Sequence, residues 1–92
     1  MFYYYTSAYN PKSNGILVGY ELVYLLNIAG YNAKNVVYEQ NSIDIPTKYA
    51  INTLNLNQIS SISDSDYVIY PETIKDNPLK AKNVVRYPMA FS

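Results

Sequence analysis

Gly15-Ile16-Leu17-Val18-Gly19-Tyr20-Glu21-Leu22-Val23-Tyr24-Leu25-Leu26-Asn27-Ile28-Ala29 is the stretch that decides the fold class. Val18, Leu22, Leu25, Leu26 and Ala29 recur at i, i+4, i+7, i+8 and i+11, which lays one apolar stripe along a helix over residues 15–29. Ser13 or Asn14 can cap its amino end, and Gly30 stands where a left-handed residue closes a helix. Upstream, Phe2-Tyr3-Tyr4-Tyr5-Thr6 has the aromatic and β-branched character of a strand over 2–6. Downstream, Val36-Val37-Tyr38 centres a second strand over 35–39. Strand, helix and strand make a βαβ unit, whose crossover is right-handed almost without exception.

Farther along, Ile43-Asp44-Ile45 alternates like a short strand that Pro46 ends or confines to an edge. Leu56, Ile59 and Ile62 recur every third residue, as in one or two turns of helix. Asp66-Tyr67-Val68-Ile69-Tyr70-Pro71-Glu72 reads as a buried parallel strand over 66–70, stopped by proline. Asn77-Pro78 then has the form of a cap and first helical residue, and Ala81, Val84 and Val85 would be the buried face of a helix over 78–87. Pro88 would end it. The expectation is one α/β domain over 1–92, a Rossmann-like parallel sheet with flanking helices.

Composition narrows the function classes. Hydrophobic residues are 49% of the 92, enough for a packed core. Seven basic and seven acidic side chains cancel, and Arg86 with six scattered lysines is a poor basis for a nucleic-acid grip. With no cysteine and no histidine, disulfides, thiolate nucleophiles, imidazole ligands and the Ser-His-Asp and Cys-His arrangements are excluded within these residues. The amino terminus has no basic leader before its apolar run, and the stretch from Ile16 to Ala29 is too short to span a bilayer. The expected setting is cytoplasmic. Tyrosine is abundant, with twelve residues. A ring packed in a sheet with its hydroxyl wet accounts for each better than a sugar-stacking platform does.

Topology places the site. Ligands of open parallel sheets bind beyond the carboxyl ends of the strands, where strand order reverses. If the first strand is central and the 66–70 strand returns to its other side, the crevice is bounded by Thr6 and Ser7, by the Asn10–Gly15 loop, and by Pro71 and Glu72 through Asn77. Gly15 closes that loop as a helix begins, a position for an ordinary turn or for an anion held by backbone amides. Neither the spacing of a dinucleotide fingerprint nor that of a P-loop is present. Glu72, directly after a strand, is either a solvated acid or a carboxylate that holds a hydroxyl or acts as a base. Asn77 is a helix cap or a ligand contact. Ser7, Asn14, Gly15, Glu72 and Asn77 are thus the cleft candidates; no residue is singled out as catalytic.

Two segments carry a resemblance. Tyr9-Asn10-Pro11-Lys12-Ser13-Asn14-Gly15-Ile16-Leu17-Val18, followed by Glu21-Leu22 and Leu25-Leu26-Asn27, resembles the opening of bacterial group 1 glycosyltransferases of the GT-B type. There a strand leads into a P-K-S-G-G loop and a long helix ending LN…GY, which Asn27 and Gly30-Tyr31 match. Asp66-Tyr67-Val68-Ile69-Tyr70-Pro71-Glu72, with Asn77-Pro78-Leu79-Lys80-Ala81-Lys82-Asn83-Val84-Val85-Arg86-Tyr87, is similar to a D-x-V-I-Y-P-E…N-P-L-x-A-x-x-V-V-R-W stretch of the same proteins. Asn14 departs from the first loop glycine, and Pro88-Met89-Ala90-Phe91-Ser92 departs from the helix continuation. The resemblance implies the amino-terminal, acceptor-side half of an enzyme moving a sugar from a nucleoside diphosphate to a glycan or other acceptor. It implies no cofactor or metal, the nucleotide-sugar being a substrate held mainly by a separate carboxyl-terminal domain. The competing reading is a non-catalytic α/β binding module. A helix over 78–87 would cover one sheet face incompletely, leaving Tyr3, Tyr5, Val68 and Tyr70 as surface through which the chain would form a homodimer.

Overall fold

The computed structural model describes residues 1–39, 45–59 and 61–87. Its elements in order are β1 (Phe2–Thr6), α1 (Asn14–Ile28), β2 (Ala33–Val37), α2 (Thr47–Ala50), β3 (Thr53–Asn55), a 3₁₀ turn (Leu56–Gln58), β4 (Tyr67–Pro71) and β5 (Asn83–Tyr87). The five strands form one sheet in the order β3-β2-β1-β4-β5, every pairing parallel. β1 is central, and strand order reverses between β1 and β4. The expected α/β class therefore holds.

Local chemistry defines α1. The Ser13 Oγ accepts from the Ile16 amide at 3.4 Å, and the Ser13 carbonyl accepts from Leu17 at 2.9 Å. At the other end Gly30 takes φ +99°, the Gly30 amide donates to Asn27 and the Tyr31 amide to Leu26, which together form a Schellman stop. Asn27 also ties α1 to β2. Its Nδ2 donates to the Val23 and Ala33 carbonyls, each at 2.9 Å, and its Oδ1 accepts from the Ala33 amide.

Right-handed crossovers sort the connections onto two faces. α1 and α2 lie on one, over β1, β2 and β3. There Tyr4, Val23, Ala33 and Ile69 form one part of the core, and Tyr20, Val37 and Tyr49 another. The link from β4 to β5 runs outward in the opposite direction and so crosses the other face. Tyr5, Val68, Tyr70 and Ala81 are buried there, with Ile62, Ile74 and Leu79 packed over them.

Four expectations need correction. Residues 78–87 are not a helix. The Lys80 amide bonds the Asn77 carbonyl, and Lys80 takes φ +54°, which closes a turn after one step. Asn83–Tyr87 then pairs with β4 from Tyr67 to Pro71. The adjacent β-branched Val84 and Val85 suit that strand, and the free edge of β4 supplies the hydrogen bonds that a local reading does not see. Second, Tyr5, Val68 and Tyr70 are not an open surface. They are 8%, 0% and 0% exposed, because the 72–82 connection covers them without any helix. Arg86 clamps that connection, donating to the Ile74, Lys75 and Asp76 carbonyls while its guanidinium lies 5.0 Å over the Tyr70 ring. Third, α1 buries Gly19, Tyr20 and Val23, a face rotated away from the leucine stripe, and Leu25 is 52% exposed. Fourth, the strand expected at 35–39 lies at Ala33–Val37, and β3 falls at Thr53–Asn55, where no strand was expected. Residues 43 and 44 lie outside the described residues, as do 88–92. The helical turns read from Leu56, Ile59 and Ile62 reduce to the single 3₁₀ turn.

Candidate functional site

β1 ends at Thr6, and its chain turns over the sheet edge into α1. Three contacts pin this turn. The Tyr20 hydroxyl donates to the Ser7 carbonyl at 2.9 Å, the Ser7 Oγ and Tyr38 hydroxyl share a hydrogen bond of 2.8 Å, and the Ala8 amide donates to the Glu39 carboxylate at 3.0 Å. Two more hydrogen bonds steady the loop itself: the Lys12 amide reaches the Asn10 Oδ1, and the Ser13 amide reaches the Asn10 carbonyl. The amino end of α1 is thereby held above the carboxyl ends of β1 and β4.

A cavity of about 250 Å³ opens there, at the point where strand order reverses. β1 supplies its floor through Tyr4 and Thr6, which point to the α1 face, and Ser7 follows at its rim. Ser13, Gly15 and Ile16 form the wall on the helix side, and Pro71 and Thr73 the wall on the β4 side. Thr6 is 3% exposed. Two of the first amides of α1, those of Asn14 and Gly15, have no intrahelical partner. Burial, with the neighbouring Tyr87 phenol adding to it, pushes the Tyr4 phenol up to about 12. It therefore stays neutral near physiological pH, a hydroxyl and not a phenolate.

Among the described residues the lining is uncharged. Its chemistry is that of hydroxyls and backbone amides, which orient a neutral hydroxyl-rich ligand or accept an anion without a counter-cation. No group of three or more acidic, histidine or cysteine residues that could hold a metal occurs among the described residues.

The sequence-derived candidates separate. Ser7 and Gly15 line the cavity; Asn14 and Glu72 are exposed beside it and outside its lining. Asn77 is on the other face. Its Oδ1 accepts from the Tyr70 hydroxyl at 2.6 Å and the Ala81 amide at 3.0 Å, and its Nδ2 donates to the Ala81 carbonyl. It caps the turn under the β4–β5 connection. Tyr4, Thr6, Ser13, Ile16, Pro71 and Thr73 complete the lining. Of these, Tyr4 follows from Thr6 by the two-residue period of a strand, a signal available in the sequence. Thr73 depends on how the chain leaves β4 and has no such signal.

Compared with known protein families, curated proteins and solved structures, the chain matches none. No helix among the described residues is long and apolar enough to cross a membrane.

Proposed function

We propose that the chain is the acceptor-side half of a sugar-transferring enzyme, and that the cavity at the β1–β4 switch point binds a hydroxyl-rich ligand or the phosphate end of a nucleotide-sugar. The observation that carries this reading is the cavity's position and lining: the amino end of α1 at Ser13 and Gly15 on one side, the Thr6 and Ser7 hydroxyls and a neutral Tyr4 phenol on the other. The two segments resembling GT-B glycosyltransferases both pass through this place, at Gly15 and at Pro71. On this reading the helix amides and hydroxyls position the ligand, and the groups that activate the acceptor and hold the donor come from a second domain. A cytoplasmic setting and self-association of the isolated chain are part of the proposal, the latter through residues other than Tyr3, Tyr5, Val68 and Tyr70.

One observation favours a second reading. Among the described residues no carboxylate or basic side chain lines the cavity, which suits a non-catalytic binding module. The two separate when a donor-binding second domain is supplied: the half-enzyme then transfers sugar and the module does not.

The test is an NMR titration of the 92-residue chain with UDP, GDP and free monosaccharides. Shifts confined to the Thr6, Ser7, Ser13, Gly15 and Thr73 amides, weak in affinity and with no sugar transfer, support the half-enzyme. Saturation with none of these ligands sinks it. Turnover by the chain alone overturns both the half-enzyme and the binding module.

A further inference from the structure

Of the asparagines in the chain, only Asn14 is followed by glycine. The side-chain amide of asparagine is open to attack by the backbone nitrogen of the next residue, and glycine, with no Cβ, leaves that nitrogen uncrowded. Asn10 and Asn77 precede prolines, which have no backbone N–H to give up. Several others are tied down by the fold. The Asn27 side chain makes three hydrogen bonds, the amide that follows Asn32 donates to the Asn27 Oδ1, and Asn35 is buried in β2. The Asn83 Nδ2 donates to the Asp64 and Asp66 carbonyls.

Asn14 differs. It is exposed at the first position of α1, and the Gly15 amide has no intrahelical partner. The chain enters the helix at this point, since Ser13 is still extended at φ −106° and ψ 111°. Attack needs the Asn14 ψ to leave the helical region, and two hydrogen bonds oppose that. Both are accepted by Ser13, whose Oγ takes the Ile16 amide at 3.4 Å and whose carbonyl takes the Leu17 amide at 2.9 Å. Two bonds of ordinary net strength slow such a step by roughly ten- to a hundredfold and do not stop it.

We infer that Asn14 is a site of spontaneous deamidation, gated by the first turn of α1, which turns the mouth of the cavity anionic. The Gly15 nitrogen gives its proton to a solvent base and bonds to the Asn14 Cγ. The bond from Cγ to Nδ2 breaks, and ammonia leaves with a proton returned from solvent, closing a succinimide ring. Water then opens the ring at one of two bonds. Cleavage between the Gly15 nitrogen and Cγ gives aspartate. Cleavage between that nitrogen and the main-chain carbonyl carbon of Asn14 gives isoaspartate, with the backbone rerouted through the side chain. One water is consumed and one ammonia released. Either product sets a carboxylate beside Gly15, in a lining that carries no charge among the described residues. Aspartate at this position is also favoured by the helix dipole, so that product keeps α1. Repulsion of a phosphate in the cavity would follow; that consequence rests on the proposed function, and the modification does not.

The test is incubation of the 92-residue chain in mildly alkaline buffer, with and without urea, followed by peptide mapping in a mass spectrometer. In the folded chain, acid should appear at position 14 ahead of every other asparagine, as paired aspartate and isoaspartate peptides. It should form roughly ten- to a hundredfold more slowly than in urea. Ser13→Ala removes one of the two opposing bonds and should speed the folded chain several-fold, with the rate in urea nearly unchanged. Gly15→Ala, which crowds the attacking nitrogen, should slow the reaction in both conditions. Conversion of another asparagine first in the folded chain overturns the inference. So does a rate at Asn14 that neither folding nor Ser13→Ala alters.

Discussion

Gly19→Ala sets two effects of opposite sign against each other. In a helix interior alanine is favoured over glycine by about 1 kcal/mol, so on propensity alone the variant is more stable. But a Cβ built on Gly19 meets the Tyr4 ring at 2.7 Å (Cε1), 2.8 Å (Cζ) and 3.0 Å (hydroxyl). Tyr4 is 2% exposed on the central strand, with Val23 packed against it and Tyr87 edge-on at 6.3 Å. Its ring can give way only toward the cavity, which separates it from those neighbours. Overpacking of this kind costs about 1–3 kcal/mol, and contacts below 3 Å on a ring carbon put it at the upper end. The net expectation is a loss of about 2 kcal/mol, seen as a fall in Tm on the order of 10 °C for a domain this size. Urea and thermal unfolding followed by circular dichroism measure it. The decisive control is the same substitution in a Tyr4→Leu background. There the obstruction is gone and Gly19→Ala should stabilise by about 1 kcal/mol, a reversal of sign that helix propensity alone cannot produce. If Gly19→Ala raises Tm in the parent background, the close approach of α1 to β1 is wrong.

Three other substitutions or titrations probe separate parts of the fold. Asn35 is fully buried, with its Nδ2 3.3 Å from the Thr53 Oγ1 and its Oδ1 without a partner among the described residues. Asn35→Val should therefore gain about 1 kcal/mol in urea unfolding, and a loss of that size would reveal a bound partner at Oδ1. Lys80 occupies the left-handed region at φ 54°, so Lys80→Gly should stabilise the turn by up to about 1 kcal/mol; a clear loss would place the turn elsewhere. Tyr3, Tyr4, Tyr5, Tyr49 and Tyr70 all have phenols held above the ordinary tyrosine value, Tyr4 chiefly by burial and Tyr49, at about 12, chiefly by its hydrogen bond to Glu21. Since the unfolded chain loses these protons first, stability should be full below about pH 10 and fall as pH rises toward 12. Stability flat across that window, followed by phenolate absorbance at 295 nm, would mean the rings are not buried as described.

Much of the candidate site was legible because its position is a property of chain order. Once β1 is central and β4 returns to its far side, the crevice must open between Thr6 and Pro71, whatever the side chains are. Which side chains enter it was less legible. Ser13 reads as a cap from its spacing to Ile16, and only its placement across from Pro71 and Thr73 makes it a wall of the cavity as well. Asn77 and Pro78 show the opposite failure. Their local chemistry is that of a helix start, yet the Tyr70 hydroxyl and the Ala81 backbone take up the Asn77 side chain, and the open edge of β4 draws the following residues into β5.

By itself the sequence determined β1, α1, β2 and β4 in their order, the ends of α1 at Ser13 and Gly30, the parallel sheet and its switch point. Each rests on a short-range period, a cap or a handedness that holds in any context. Tertiary structure alone decided the rotation of α1, the strand at Asn83–Tyr87 and the burial of Tyr5, Val68 and Tyr70. The rotation gives the physical reason. Leucine periodicity selects the most apolar side of a helix, but a helix settles on a sheet by its closest approach. Gly19, having no side chain, lets α1 come down onto the Tyr4 ring, and the leucines are carried round to its flank.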